Sequence, residues 1–338
     1  MHRCLSIVEV QRTIFREIYM DASLARLART CRAFNDSALD VLWETLESFT
    51  ILVQCLPRDL WRVANAIEKK LVRCATRCLR RPMSLKDWEI FHKYSIRVRR
   101  VLHSVEPDRF TGCKHLGDDV IFTLSNPPTH RPLIPFLKEL YWDKPSKQYA
   151  SLLCSLLTPS LDLLSLTTVG FSLRLPEVSI LSSVGTACPS LRSLHIFSRV
   201  HLSDFLDTQG EKILSEAVLR LHSLESLVCP ALDEAAIDHL SRLPLLRELS
   251  MKLRPDLKLN SLTSLAPPAF GSIDSLTLSA TSLATLTSML ALMQIMPSRV
   301  SFITLDSPTV DAIRLFSLVV VNACGSERLS QVSLCADG

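Results

Sequence analysis

Along the second half of the chain one short apolar phrase returns, Leu-x-x-Leu-x-Leu, with polar residues between its members. Copies begin at Leu137 (with Leu140 and Trp142), Leu161 (Leu164, Leu166), Leu191 (Leu194, Ile196), Leu224 (Leu227, Cys229), Leu246 (Leu249, Met251), Ile273 (Leu276, Leu278), Val300 (Ile303, Leu305) and Leu329 (Val332, Leu334). The intervals are 24, 30, 33, 22, 27, 27 and 29 residues. Each phrase is too short for a helix and alternates as a half-buried strand does, so its Leu residues turn inward and the residues between them outward. Helical patterns fill the gaps at 147–157, 211–221, 232–243, 282–296 and 310–324, with Asp233 and Asp311 where helix starts favour acids. One strand and one helix per repeat predict an α/β chain, a right-handed solenoid with a parallel inner sheet and outer helices over residues 136–338.

The first 48 residues carry a period of 3.6 instead. Ile7, Val10, Ile14, Phe15 and Ile18 share one face, Leu24, Leu27, Ala28 and Cys31 a second, and Leu39, Leu42, Trp43 and Leu46 a third, predicting three short helices. Asp21 or Ser23 can cap the second, and Asn35 or Asp36 the third. So few residues make too little core to stand alone, which predicts that the bundle leans on a partner or on the following segment. Residues 49–103 read as a basic helical linker, with Trp88, Phe91, Val98 and Leu102 on one side of its second helix. Residues 104–135 read as a connector, broken by Pro107, Gly112, Gly117, Pro127, Pro128, Pro132 and Pro135.

Composition sharpens this division. Leu supplies 60 of the 338 residues, whereas Gly supplies 8, so a large aliphatic core is affordable and disorder is excluded. Residues 1–103 hold 19 basic and 11 acidic side chains, and residues 104–338 hold 19 and 23. The basic density peaks at 69–100, where Lys69, Lys70, Arg73, Arg77, Arg80, Arg81, Lys86, Lys93, Arg97, Arg99 and Arg100 face only Asp87 and Glu89. Such a face can meet phosphates or an acidic partner, but without interleaved aromatics or zinc spacing it reads as a solvated surface before a nucleic-acid site. Eleven Cys without a CxxC pair, charges interrupting the first twenty residues, and no long apolar run predict an intracellular, reducing address, cytoplasmic or nuclear, without membrane insertion.

Catalytic motifs do not assemble. The glycines at Gly112 and Gly117 lead into Asp118 and Asp119, carboxylates that would repel a phosphate. Gly170-Phe171-Ser172 lacks the second glycine of a nucleophile elbow, and Cys74 with Cys78 makes an incomplete metal pair. No cofactor, metal or catalytic residue is expected, and His195 reads as a contact residue on the sheet face.

Two resemblances rest on these residues. The recurring phrases over roughly 134–338 resemble the leucine-rich repeat family, in an irregular form without the asparagine that often follows the third Leu. The run Ile14-Phe15, Ile18, Leu24, Leu27, Cys31-Arg32, Phe34 and Leu42-Trp43, over about residues 5–46, resembles the F-box, with Glu9 as its acidic residue; Leu5 is followed by Ser6 where the motif opens with Leu-Pro. The resemblance implies a substrate receptor of an SCF-type ubiquitin ligase, a non-enzymatic protein docked on a Skp-type adaptor and cullin core. Its adaptor contacts would be Leu5, Val8, Glu9, Ile14, Phe15, Ile18, Leu24, Leu27, Cys31, Phe34, Leu42 and Trp43. A protein target would sit on the concave sheet face, anchored by its larger outward residues Tyr141, His195, Phe197 and Phe302. A repeat scaffold without ligase association is the alternative reading, and a nucleic-acid protein acting through residues 69–100 the third. The last phrase lies so near Gly338 that its sheet edge is expected either to continue in a longer product or to be covered by a partner.

Overall fold

The computed structural model describes residues 6–68, 72–103, 114–128, 131–143, 147–168, 175–198, 208–257, 270–293, 295, 297–304, 306, 308–324 and 329–336. The chain divides into two compact units, residues 1–143 with 151–161, and residues 144–150 with 162–338. The class is mixed α/β, with ten parallel strands, three in the first unit and seven in the second.

The first unit begins with three helices, α1 (Val8–Arg16), α2 (Asp21–Leu27) and α3 (Arg32–Leu42). They close on buried Phe15, Leu24, Ala28 and Ala38, with Ile18, Leu27, Phe34, Leu39 and Leu42 packed around them. The Phe15 and Phe34 rings meet edge to face at 5.6 Å, a favoured aromatic geometry. The chain continues through β1 (Thr45–Leu46), α4 (Phe49–Gln54), β2 (Trp61–Glu68), β3 (Val72–Leu79), α5 (Leu85–Ser95), β4 (Arg100–His103), β5 (Lys114–Leu116), α6 (Asp118–Ser125), β6 (Glu139–Asp143) and α7 (Ala150–Leu156). Strands β1, β4 and β6 run parallel, so the parallel pairing starts at residue 45, well before the repeats legible in the sequence. A capping box opens α5: the Ser84 hydroxyl accepts from Asp87 N–H, and the Asp87 carboxylate accepts from Ser84 N–H.

The expectation of a basic helical linker over residues 49–103 is corrected here. Strands β2 and β3 form an antiparallel pair, Trp61 opposite Leu79 through Glu68 opposite Val72, and β5 joins β3 in parallel. The sequence had the period of two: Val72, Cys74, Thr76 and Cys78 alternate with Arg73, Ala75, Arg77 and Leu79, but the density of basic residues masks it. Val98 is buried in the turn after α5, whereas Leu102 lies on β4 and is exposed. Within the expected connector, β5 and α6 are regular elements.

The second unit alternates strand and helix. Its elements are β7 (Leu163–Thr168), α8 (Leu175–Ala187), β8 (Ser193–Ser198), α9 (Thr208–Val218), β9 (Ser226–Cys229), α10 (Glu234–Ser241), β10 (Glu248–Lys252), β11 (Ser275–Ala280), α11 (Leu283–Leu292), β12 (Arg299–Thr304), α12 (Val310–Cys324) and β13 (Gln331–Ala336). The strands lie side by side in chain order, all parallel, with β13 at an edge. Asp233 caps α10 and Ser282 caps α11, each side chain accepting a backbone N–H three residues on. Phrase residues form the core: Leu191, Leu194 and Ile196, Leu224, Leu227 and Cys229, and Leu246, Leu249 and Met251 are all buried. Burying each such aliphatic side chain contributes about 1.5–3 kcal/mol.

A main-chain ladder sets the pitch. At the entry to β8 through β13 two successive N–H groups donate to one carbonyl of the preceding repeat. Arg192 and Ser193 share Asp162 O, Glu225 and Ser226 share Arg192 O, and Arg247 and Glu248 share Glu225 O. Asp274 and Ser275 share Arg247 O, Ser298 and Arg299 share Asp274 O, and Ser330 and Gln331 share Ser298 O. The first unit repeats the pattern, with Arg99 and Arg100 on Glu44 O, and Lys138 and Glu139 on Arg99 O. Each carbonyl uses both lone pairs, so these turns satisfy their polar groups without a side-chain ladder.

Phe302 is corrected by this register. Val300 pairs with Leu276 and Phe302 with Leu278, so Val300, Phe302 and Thr304 point inward, and Phe302 is 0 % exposed with its ring 4.9 Å from Phe316. Reading the phrase from Val300 placed it three residues late, and an odd shift turns a strand inside out. Leu305, which completed that reading, lies outside the described residues.

Candidate functional site

Two surfaces collect the residues expected to carry function. In the first unit a cavity of about 480 Å³ is lined by Ile18, Leu24, Val41, Leu42, Trp43, Leu46 and Ile51, with Ala22 and Ala25 of α2 and the carboxylates Asp21 and Glu47. It brings together Ile18, Leu24, Leu42 and Trp43 of the expected adaptor residues. Helix α2 supplies one wall, because Asp21, Ala22, Leu24 and Ala25 fall on one side of its turns. Trp43 is fixed from behind by Tyr94, ring to ring at 4.8 Å. The wall is apolar and concave with acid among its lining, a shape that accepts an apolar side chain and favours a basic neighbour.

The other expected adaptor residues distribute differently. Val8 and Ile14 are exposed on α1, Ile14 at 46 %, together with Ile7, Tyr19 and Met20. Glu9 is exposed in the first turn of α1, where its charge suits the helix dipole. Phe15 and Leu24 are core residues, Leu27 and Phe34 pack against them, and Cys31 takes the extended position before α3. Leu5 lies outside the described residues.

In the second unit the open sheet face carries a short polar chain. His195 Nε2 lies 2.9 Å from Ser226 Oγ, and Ser226 Oγ donates to Glu248 Oε2 at 3.0 Å. Because the single Ser226 proton goes to the carboxylate, His195 Nε2 is the donor to Ser226. Burial pulls the His195 pKa below its ordinary value, with Glu248 opposing, so the imidazole is neutral at neutral pH. The serine stands between histidine and acid instead of at the end, and it is buried, so this chain orients a contact surface and does not activate a nucleophile. Phe197 stands beside it, exposed, with its ring 5.8 Å from His195. Strand register builds this link: Ser226 and Glu248 pair directly, and His195 sits two residues beyond Ser193, the partner of Ser226 on the next strand.

Tyr141, on β6 of the first unit, donates its hydroxyl to Glu139 Oε2 at 3.2 Å, and burial raises its pKa. Among the described residues no group of three His, Cys, Asp or Glu side chains is placed to hold a metal, and no helix is long and apolar enough to cross a membrane. The chain matches no family model and no curated protein.

Proposed function

We propose that the protein is the target-binding subunit of an SCF-type ubiquitin ligase, an F-box module joined to an irregular leucine-rich-repeat solenoid. The observation that carries this reading is the apolar cavity, which gathers four of the residues the F-box resemblance assigns to the adaptor. The three-helix module completes its own small core and still leaves Ile7, Val8, Ile14, Tyr19 and Met20 exposed, Tyr19 at 91 %. Apolar surface in that amount on a small helical unit favours a partner. The open strand face with His195, Phe197, Ser226 and Glu248 would hold the target, and ubiquitin transfer would gain from proximity alone, without a chemical group from this chain.

The test is co-purification with a Skp-type adaptor. Leu24→Ala and Trp43→Ala are unsuitable alone, since both side chains are core (3 % and 9 % exposed) and their loss costs a few kcal/mol of folding. Ala22→Trp fills the cavity from an exposed position, and Ile14→Asp charges the exposed face; both should keep the native circular dichroism and abolish capture. Retained capture by both folded variants, or no capture by the native chain, would leave a repeat scaffold without ligase association.

A further inference from the structure

A second cavity in the first unit, of about 100 Å³, is lined by Arg12, Arg16, Arg97, Arg99, Asp40 and Glu44. Helical spacing builds it: Arg12 and Arg16 lie one turn apart on α1, Asp36 and Asp40 one turn apart on α3, and the turn between α5 and β4 adds Arg97 and Arg99. Asp40 is shared between Arg12 and Arg97. Arg97 also reaches Asp36 Oδ1 at 2.8 Å, and Arg16 forms a two-pronged pair with Glu44 at 3.1 and 3.0 Å.

Two features are left over. Four guanidinium groups meet three carboxylates, Asp40 and Glu44 in the lining and Asp36 beside it on Arg97, so one positive charge is unmatched there. Among the described residues Arg99 donates to the Ile96 and Val98 carbonyls, at 2.7 and 3.1 Å, and its guanidinium lies 5.1 Å from the Phe136 ring centre, contacts that hold it without neutralising it. In addition Arg12 Nε is buried and finds no acceptor among the described residues, a donor whose desolvation is uncompensated. A small anion answers both at once.

We infer that this cavity is a binding site for a phosphate group, held by the forks of Arg12 and Arg99 against the paired Arg16 and Arg97. A phosphate carries about −1.5 to −2 charge at neutral pH, which takes up the surplus, and its oxygens suit guanidinium geometry. The cavity, open to solvent, has room for a tetrahedral oxyanion. The site is separate from the apolar cavity and does not depend on the adaptor reading.

Isothermal titration of the full chain with inorganic phosphate, at ionic strength fixed by sodium chloride, tests it. Saturable binding is expected below about 10 mM. Arg99→Gln should weaken it about tenfold, and so should Arg12→Lys, which keeps the charge but removes the Nε donor. Asp40→Asn discriminates most sharply: it loses an ion pair and lowers Tm, yet by removing a competing carboxylate it should tighten phosphate binding. A parallel titration with N-acetyl-phosphoserine amide distinguishes the source. Binding comparable with inorganic phosphate assigns a phosphorylated side chain, and binding of inorganic phosphate alone assigns the free ion. Absence of saturable binding, unchanged binding in folded Arg99→Gln and Arg12→Lys, or weaker binding in Asp40→Asn would overturn the site.

Discussion

In the first unit most ion pairs tie together residues far apart in sequence, Arg12 to Asp40, Arg16 to Glu44, Arg97 to Asp36 and Arg81 to Asp59, with Arg81 to Asp87 a local one. In the second unit most such pairs are local, Arg242 with Asp238, Arg254 with Asp256 and Arg314 with Asp311, while Leu residues in successive repeats form the long-range contacts. The three helices at the front of the first unit, which close on four buried side chains, use charge to fix their positions, whereas in the second unit long-range pairs, Arg192 with Glu225 and Arg254 with Glu211, supplement a long aliphatic core. Exposed pairs contribute roughly 0–1 kcal/mol each, so the first unit gains its geometry more than its stability from them. Acid and salt should therefore disturb the three helices before the repeats, and loss of apolar volume in the repeats should unfold the second unit.

The comparison breaks most directly in the core. Phe302→Ala should cost about 3–5 kcal/mol in denaturant unfolding and Leu249→Ala about 2–5 kcal/mol, because both side chains are fully enclosed. Asp87→Asn should cost about 1–3 kcal/mol at pH 7, since Arg81 and the Ser84 hydroxyl and N–H all bond to that carboxylate. Those same bonds, Arg81 first, hold the Asp87 pKa well below the usual carboxylate range. Its contribution is thus complete above about pH 3.9 and fades as pH falls toward the lower folded value, and a urea-midpoint series in acid should show this loss in the native chain and not in the variant.

His195 gives a weaker, opposite-sited effect in the second unit. Its folded pKa is lowered, so the unfolded chain takes the proton first, and stability should decline as pH drops below about 6.5. His195→Gln should flatten that part of the profile; an unchanged slope would show that the imidazole is not the titrating group. Smallest of all, Phe197→Ala should change stability by no more than about 0.5 kcal/mol, since the ring is exposed. A loss near that of Phe302→Ala would mean that the open face is not open.

What the sequence disclosed follows the strength of its periodicity. Phrases at Leu161, Leu191, Leu224, Leu246 and Ile273 are in true register, because Leu or Ile at the first position and Leu at the second leave no competing parity. At Val300 two readings fit the letters, and Phe316 of α12, packed on Phe302, decides between them; that contact is tertiary and was not legible. The β2 and β3 pair was hidden by its arginines, and β1 and β4 by their length of two and four residues. Single residues of the candidate surfaces were visible, including Trp43 and His195. Their assembly was not, since the apolar cavity joins residues from 18 to 51 and the polar chain joins three strands.

The shared-carbonyl ladder also defines what mutation can do to this chain. Its rungs start at Asp162, Arg192, Glu225, Arg247, Asp274 and Ser298, side chains with no chemistry in common. Because the amide does the bonding, neutral drift at these sites is nearly unconstrained, and repeats can diverge in sequence and length while their pitch is inherited. For the ladder itself the donor positions obey one rule of descent: they exclude proline, which has no hydrogen to give.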